Sequence, residues 1–323
     1  MADTPKTVDI REEGPREGFQ IEKEFIPTNR KVEFINALAT TGLHHIQTVS
    51  FVDPRRVPNS ADAEQVVEGI KMVPGVKFTG LWLNDKGFER AVATKKLTIE
   101  GGITLSASDA FLKRNQNKTV AELMATLPAT IAKYKEYKVE MGKALISAAF
   151  GCNYQGEVPV ERVVEIAGDL VRIATENGVT LKQLTLADTM GWATPGSIKR
   201  VVGAVREKFP DLDIVLHLHD TRGMGIANAY AGLEMGVTKY DAAVAGLGGC
   251  PFAGHKGAAG NVCTEDLVFM CQEMGIETGL DLDKLIDCAN LAEDVVGHPL
   301  PGSVMKGGNT AKLRAAAKQA ASA

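Results

Sequence analysis

The sequence predicts a single α/β domain, a (β/α)8 TIM barrel, followed by an extra C-terminal helix. Three observations lead to this fold class. Short runs rich in β-branched residues recur eight times, segments with helical apolar spacing separate them, and the eight units occupy about 250 residues, the usual size of such a barrel. The 323-residue chain is also long enough to bury one large core.

The predicted strands are separated by stretches that are long enough to form helices. Segments such as SADAEQVVEGIKMV and VERVVEIAGDLVRIATENG carry apolar residues at i, i+3 and i+4 spacing, which is typical of amphipathic helices. The eight strands are predicted at residues 7–10, 44–51, 76–83, 102–108, 143–150, 181–188, 213–220 and 239–247.

The end of the chain is predicted to lie beyond the eight units. The stretch DLDKLIDCANLAEDVVG has the spacing of one more helix. We assign residues 1–300 to the barrel with this helical extension. Residues 301–323, which are rich in alanine and lysine, predict a frayed helix or a flexible tail.

A doubly wound sheet is the alternative architecture. Its support is GMGIAN at residues 223–228, which matches half of a dinucleotide-binding fingerprint. The motif lacks a third glycine and follows the seventh predicted strand, and no acidic residue suited to a ribose ends a following strand. The barrel is therefore favoured, and no redox cofactor is expected.

The composition excludes several function classes. With a formal net charge of −4 and no long basic tract, nucleic acid is not an expected partner. No run approaches the roughly 18 apolar residues of a membrane span, and MADTPKTVDI has no signal-peptide pattern, so we expect no membrane association. The five cysteines are widely spaced and form no CxxC pair, which indicates neither disulfides nor a zinc finger. We expect a cytoplasmic protein.

The end of the seventh strand carries the clearest candidate site. In the motif HLHD, the period-two alternation of a strand sends His217 and His219 to the same side. Two imidazoles on a rigid strand can bind one metal ion, and a hydrogen-bonded pair of core histidines is the alternative. Working residues of a barrel lie at the carboxyl ends of its strands. The acids near such ends are Glu12, Glu13, Glu17, Asp188 and Asp220.

Two loops could complete this site. The stretch GPREG follows the first strand, where Arg16 could polarise a carbonyl or neutralise an enolate and Glu17 could bind a metal ion. A surface cluster of salt bridges is the alternative. The glycine-rich loop at residues 246–261 follows the eighth strand and is either a plain connection or a lid, from which Cys250 could bring a thiol to a substrate.

Seven blocks of the sequence resemble those of a known family. GPREGFQIEK, SFVDPRRVPNSAD, FGCNYQG, LADTMGWATPG, HLHDTRGMGIANA, VAGLGGCPFAGHKGAAGNVCTEDLV and MGIETGLDL follow in order the landmarks of the 3-hydroxy-3-methylglutaryl-CoA lyases. These are metal-dependent barrel enzymes related to isopropylmalate synthase. The resemblance extends from about residue 7 to residue 300.

This resemblance implies a reaction, a cofactor and partners. The reaction is the retro-Claisen cleavage of a 3-hydroxy-3-methylglutaryl-CoA-like acyl-CoA to acetyl-CoA and a keto acid. The cofactor is a divalent cation, Mg²⁺ or Mn²⁺, with Zn²⁺ or Co²⁺ as alternatives. The partners are the acyl-CoA substrate and further copies of the chain in a homo-oligomer, a dimer or larger.

The resemblance also implies roles for particular residues. The implied metal ligands are Glu17, His217, His219 and Asn261. The implied catalytic residues are Arg16, Asp188, His217 and Cys250, and Arg16 and Gln47 are the implied substrate-binding residues.

Two positions depart from the family pattern and leave the acyl group open. The family has Arg-Asp-Gly where this chain has Arg16-Glu17-Gly18, and it usually has glutamate where this chain has Gln47. Two other functions remain alternatives. One is a Claisen-type condensing synthase of the isopropylmalate or citramalate class, and the other is a non-catalytic acyl-CoA-binding homologue.

Overall fold

Eight short strands form the centre of the computed structural model, which describes residues 4–248 and 259–321. The strands are β1 (Asp9–Glu12), β2 (His45–Ser50), β3 (Lys77–Leu81), β4 (Glu100–Ser106), β5 (Glu140–Ser147), β6 (Gln183–Ala187), β7 (Asp213–His217) and β8 (Lys239–Ala242). Their hydrogen-bonded order is β3-β2-β1-β8-β7-β6-β5-β4, and all of these pairings are parallel. Because β1 pairs with β8, the sheet curls into a nearly closed barrel.

Helices follow the strands and cover the outside of the barrel, so the predicted TIM barrel is confirmed. They are α1 (Gly14–Ile21), α2 (Thr28–Leu38), α3 (Ala63–Gly69), α4 (Asp85–Ala93), α5 (Asp109–Gln116), α6 (Val120–Met124), α7 (Leu127–Glu136), α8 (Val160–Glu176), α9 (Pro195–Lys208), α10 (Gly225–Glu234), α11 (Thr264–Glu273), α12 (Leu282–Val296), α13 (Val304–Gly307) and α14 (Thr310–Ala321). None of these helices is long and apolar enough to cross a membrane.

The helices lie where the apolar spacing predicts them. In α8, Val163, Ile166, Leu170 and Ile173 recur every three or four residues, and all four are buried. The segment GMGIAN contributes the first residues of α10 and follows a barrel strand, so the doubly wound alternative is wrong.

Part of the barrel interior is polar. Arg11 on β1 donates a hydrogen bond of 2.8 Å from its NH2 group to the side-chain oxygen of Gln183 on β6, which lies across the barrel. Glu100 on β4 accepts from the amines of Lys77 and Lys143. Arg11 is thus paired within the barrel, whereas the pairs of Glu100 lie at the amino ends of β3 and β4, where Lys77 is exposed.

The C-terminal part of the chain packs against the barrel. The predicted extra helix is α12, and its buried residues include Leu285 and Ala289. The segment predicted as a frayed helix or flexible tail contains α13 and α14. Val304 and Met305 of α13 are buried, so this part of the segment adds to the apolar core.

Candidate metal centre

The site begins at the end of β7, where two imidazoles lie on the same side of the chain as predicted. The ring centroids of His217 and His219 are 5.3 Å apart. The Nδ1 atom of His217 lies 3.3 Å from a carboxylate oxygen of Asp241 on β8, and the Nδ1 atom of His219 donates to the backbone oxygen of Asp188 at 2.7 Å. Both rings are therefore held through Nδ1, which turns their Nε2 atoms toward a common point.

Glu17 of α1 faces this point. Its two carboxylate oxygens lie 3.6 Å from Nε2 of His217 and 3.9 Å from Nε2 of His219. The side-chain amide of Asn261 donates to Glu17 at 2.6 Å and to the backbone oxygen of Leu247 at 3.1 Å. Asn261 also forms a backbone bridge with His219, which fixes it beside the second imidazole.

The side-chain nitrogen and oxygen atoms that face this point suit a metal ion. One ligand atom from each of Glu17, His217 and His219 lies within 4.8 Å of the others. The Nε2 atom of His219 and the side-chain oxygen of Asn261 are buried and have no hydrogen-bond partner among the described residues. A buried donor set of two imidazoles, a carboxylate and an amide oxygen suits a divalent cation, because the cation would satisfy these atoms together.

The charges of the site are strongly coupled. Burial alone would raise the pKa of Glu17, but Arg16 and His217 hold it well below its usual value. Burial would lower the pKa of His217, but Glu17 and Asp241 raise it well above its usual value. Burial, together with the charge on His217, lowers the pKa of His219 to about 4. His219 is therefore a neutral imidazole at pH 7, the form that binds metals.

Asp188 lies at the end of β6, beside the two imidazoles. Its Oδ1 atom accepts from the backbone amides of Trp192 at 2.7 Å and Ala193 at 3.0 Å. Its Oδ2 atom is buried and has no hydrogen-bond partner among the residues described. Burial raises the pKa of Asp188 to about 6, so this carboxyl group can exchange a proton near neutral pH.

Arg16 lies on the opposite side of Glu17 and is almost completely buried. Its NH1 group donates to Glu17 at 2.6 Å, its NH2 group donates to Glu13 at 2.5 Å, and its Nε group donates to Gln47 on β2. The predicted alternative of a surface salt-bridge cluster is wrong for Arg16 and Glu17, since their side chains are only 10% and 12% exposed.

The structure thus brings together most of the predicted site residues. Arg16, Glu17, Gln47, Asp188, His217, His219 and Asn261 meet at the carboxyl ends of the strands. Cys250 lies outside the described residues. Asp220 does not join the group but accepts from the backbone amide of Gly225, and Glu12 accepts from Gly14, Val244 and Thr264.

The sequence analysis missed one contributor, Asp241, which holds His217 in place. The available signal was the acidic residue in KYDAAVAGL, since a carboxylate within a predicted strand needs a partner inside the barrel.

A buried cluster of two imidazoles, a carboxylate and an amide at the carboxyl ends of barrel strands defines the class of metal-dependent α/β-barrel enzymes. The HMGL-like family model matches residues 7–292. Hydroxymethylglutaryl-CoA lyase of Bacillus subtilis is 38% identical over 302 residues, which cover 92% of this chain and 96% of that protein. The cytoplasmic 3-hydroxy-3-methylglutaryl-CoA lyase of mouse is 38% identical over 309 residues, which cover 96% and 87%.

A solved structure agrees with these matches. An HMG-CoA lyase from Acinetobacter baumannii, in complex with coenzyme A and 3-methylmalate, superposes with a TM-score of 0.84 and 37% identity, covering 96% of this chain and 97% of that one. The chain belongs to the HMGL-like family.

Proposed function

We propose that this protein is a divalent-metal-dependent carbon–carbon lyase that cleaves a 3-hydroxy-3-methylglutaryl-CoA-like acyl-CoA to acetyl-CoA and a keto acid. The observation that carries the proposal is the buried group of Glu17, His217, His219 and Asn261 beside Arg16. The names of the relatives support the class of reaction, and the coenzyme A bound to the Acinetobacter baumannii lyase supports an acyl-CoA substrate.

Four residues would hold the cation: Glu17, His217, His219 and Asn261. When bound, a cation such as Mg²⁺ or Mn²⁺ supplies Lewis-acid polarisation of the substrate oxygens, and Zn²⁺ or Co²⁺ are the alternatives. Asp241 and the backbone oxygen of Asp188 hold the two imidazoles in the orientation that this role requires.

The remaining site residues would handle protons and charge. Asp188 has a buried oxygen that no described residue contacts by a hydrogen bond, and burial raises its pKa to about 6, so it suits the base that takes the proton of the C3 hydroxyl. His217 would contribute to catalysis by holding the cation beside this carboxyl group, since its Nε2 atom faces the donor set and its Nδ1 atom faces Asp241. The C2–C3 bond then breaks, its electron pair forms the enolate of acetyl-CoA, and C3 becomes a carbonyl.

Arg16 and Cys250 would act on the acetyl-CoA half. The guanidinium of Arg16 is buried and fixed by three acceptors, so it can stabilise the enolate oxygen with little reorganisation. Cys250 would donate a proton to C2 and so complete acetyl-CoA, a role that follows from the family resemblance. Gln47, bonded to Arg16, would lie beside the substrate. No observation favours a condensing synthase or a non-catalytic homologue.

Partners and compartment complete the proposal. We expect acyl-CoA as substrate and a homo-oligomer, a dimer or larger, as the working form. Some relatives are named cytoplasmic and others mitochondrial, and we propose the cytoplasm for this chain.

The test is release of acetyl-CoA from a panel of 3-hydroxyglutaryl-CoA thioesters with different C3 substituents, before and after treatment with a chelator. We expect release from at least one thioester, loss of activity on chelation and recovery with Mg²⁺ or Mn²⁺. Full activity of metal-free protein would rule out the metal-dependent reaction, and condensation without cleavage would favour the synthase.

A further inference from the structure

Glu13 is a buried acid to which the proposed reaction gives no role. It follows directly after β1 and is 5% exposed. Its Oε2 atom accepts a hydrogen bond of 2.5 Å from the NH2 group of Arg16, with the geometry of a buried ion pair. A buried charge pair is costly to form, and removal of one partner leaves the other uncompensated.

The ion pair with Glu13 is one of three hydrogen bonds that fix the guanidinium of Arg16. A guanidinium has five N–H donors, and three of those on Arg16 point at Glu13, Glu17 and Gln47. The other two N–H groups have no acceptor among residues 4–248 and 259–321, so they can donate to an oxygen of the substrate. Charge-assisted hydrogen bonds on three sides prevent the guanidinium from rotating, so its remaining donors keep one direction.

The three acceptors are not equivalent in charge. Gln47 is neutral. Glu17 also faces the Nε2 atoms of His217 and His219, at 3.6 and 3.9 Å, so its carboxylate belongs to the candidate metal centre as well as to Arg16. Glu13 is therefore the carboxylate on Arg16 that is not also part of the candidate metal centre.

We propose that Glu13 is a positioning residue: it fixes the guanidinium of Arg16 and supplies, from the end of β1, the negative charge that Gln47 does not supply from β2. The proposal rests on the proposed lyase function, in which Arg16 stabilises the enolate oxygen. It predicts that positions 13 and 47 are coupled, because both side chains contact the same guanidinium from different strands.

The test is an exchange of charge between the two positions. Glu13→Gln removes the charge with almost no change of shape, and we expect turnover to fall about 10- to 100-fold, the usual cost of removing such a supporting partner, with little change in KM. Adding Gln47→Glu restores a carboxylate on the same guanidinium and should recover most of the lost turnover. A purely structural Glu13 would not be rescued from another strand. Glu24→Gln, which removes an exposed charge from the same segment, is the matched control.

A second measurement does not depend on activity. The Nε–H signal of Arg16 in a nitrogen–proton NMR spectrum, assigned with Arg16→Lys, should exchange with water about fivefold faster in Glu13→Gln, because a neutral amide holds the guanidinium less firmly than a carboxylate does. Glu13→Gln combined with Gln47→Glu should return the exchange rate toward that of the unmodified protein. If the protein cleaves none of the thioesters, the lyase proposal fails and this signal alone decides the role of Glu13.

Several outcomes would overturn the inference. An Arg16 signal unchanged in Glu13→Gln would do so, and so would unchanged turnover or failure of Gln47→Glu to rescue an active enzyme. If Glu13→Gln melts too early to be compared, Glu13→Asp takes its place, since it keeps the charge but withdraws the carboxylate by about 1.5 Å. Glu13→Asp should also make the Nε–H of Arg16 exchange faster with water. An unchanged exchange rate in Glu13→Asp would equally reject the positioning role of Glu13.

Discussion

At the scale of single residues, the two histidines of the candidate metal centre differ in charge. His217 lies between Glu17 and Asp241, and these acids raise its pKa, whereas His219 donates to a backbone oxygen and stays neutral. His219 therefore offers a lone pair without first losing a proton. It should be the ligand whose loss weakens metal binding most directly.

We expect His219→Ala to reduce the affinity for Mn²⁺ by at least about tenfold, because it removes a ligand from a preformed set. Calorimetric titration of the metal-free protein with Mn²⁺ measures this. His298→Ala is the control, since His298 contacts Glu22 and lies outside the donor set. Equal affinities in both variants would show that the cation binds elsewhere.

A second residue-scale prediction concerns Cys250, which lies outside the described residues. If its thiol donates a proton to C2, Cys250→Ala should lower turnover by about 10²- to 10⁴-fold, the usual range for a positioned acid or base. Affinity for acyl-CoA should change little. Cys288→Ala, a change in the buried face of α12, should leave turnover intact. Near-normal turnover of Cys250→Ala would remove the thiol from the mechanism.

At the scale of elements, the segment after β8 brings two parts of the site together. The chain leaves β8, forms a short 3-10 turn at Val244–Gly246 and reaches Gly248, which has a φ of +88°. A Cβ atom at Gly248 would lie 2.7 Å from the side-chain nitrogen of Asn261 and 2.9 Å from Cβ of Glu17. Glycine is needed here for both its conformation and its small size.

Gly248→Ala should therefore reduce stability by about 1–3 kcal/mol from backbone strain and also weaken metal binding. Gly75→Ala separates the two effects. Gly75 has a φ of +86°, and no atom of the described part of the chain lies within 4 Å of the added Cβ. Denaturant unfolding should show reduced stability in both variants, but Mn²⁺ titration should show reduced affinity only in Gly248→Ala. Unchanged metal affinity in Gly248→Ala would contradict the assigned contact.

The same elements show how far the sequence alone could predict this molecule. Local patterns decide where strands and helices lie, so each predicted strand overlaps an observed one, although β8 ends at Ala242 rather than 247. The alternation in HLHD correctly placed His217 and His219 together. The pairing of Asp241 with His217 depends on the register between β7 and β8, and that of Gln47 with Arg16 depends on the pairing of β1 with β2, so no local pattern contains them.

At the scale of the whole molecule, the amino ends of β2, β3 and β4 hold a second set of charged groups, at the opposite end of the strands from the candidate metal centre. Burial would raise the pKa of Glu100, but Lys143 and Lys77 lower it to about 2. His45 on β2 lies near these cations, and its Nε2 atom is 2.8 Å from the hydroxyl of Thr79 on β3. A folded barrel therefore disfavours a proton on His45.

This makes stability depend on pH. Burial, with Lys143 and Arg11, lowers the pKa of His45 from 6.5 to about 4 in the folded protein. Between these values the unfolded chain binds more protons than the folded one, so stability falls as pH falls from 6.5 toward 4. Because the ring is only partly buried, we expect His45 to account for about 1–2 kcal/mol of the stability lost between pH 7 and pH 5.

His45→Gln tests this, because glutamine can keep a hydrogen bond to Thr79 but does not titrate. Urea unfolding at pH 7 and pH 5 should show a smaller acid-induced loss in His45→Gln than in the unmodified protein. His44→Gln, at the exposed neighbouring position, should lose as much stability as the unmodified protein. Equal losses of stability in all three proteins would assign the acid sensitivity to other groups, because a group other than His45 would then take up the proton when the protein unfolds.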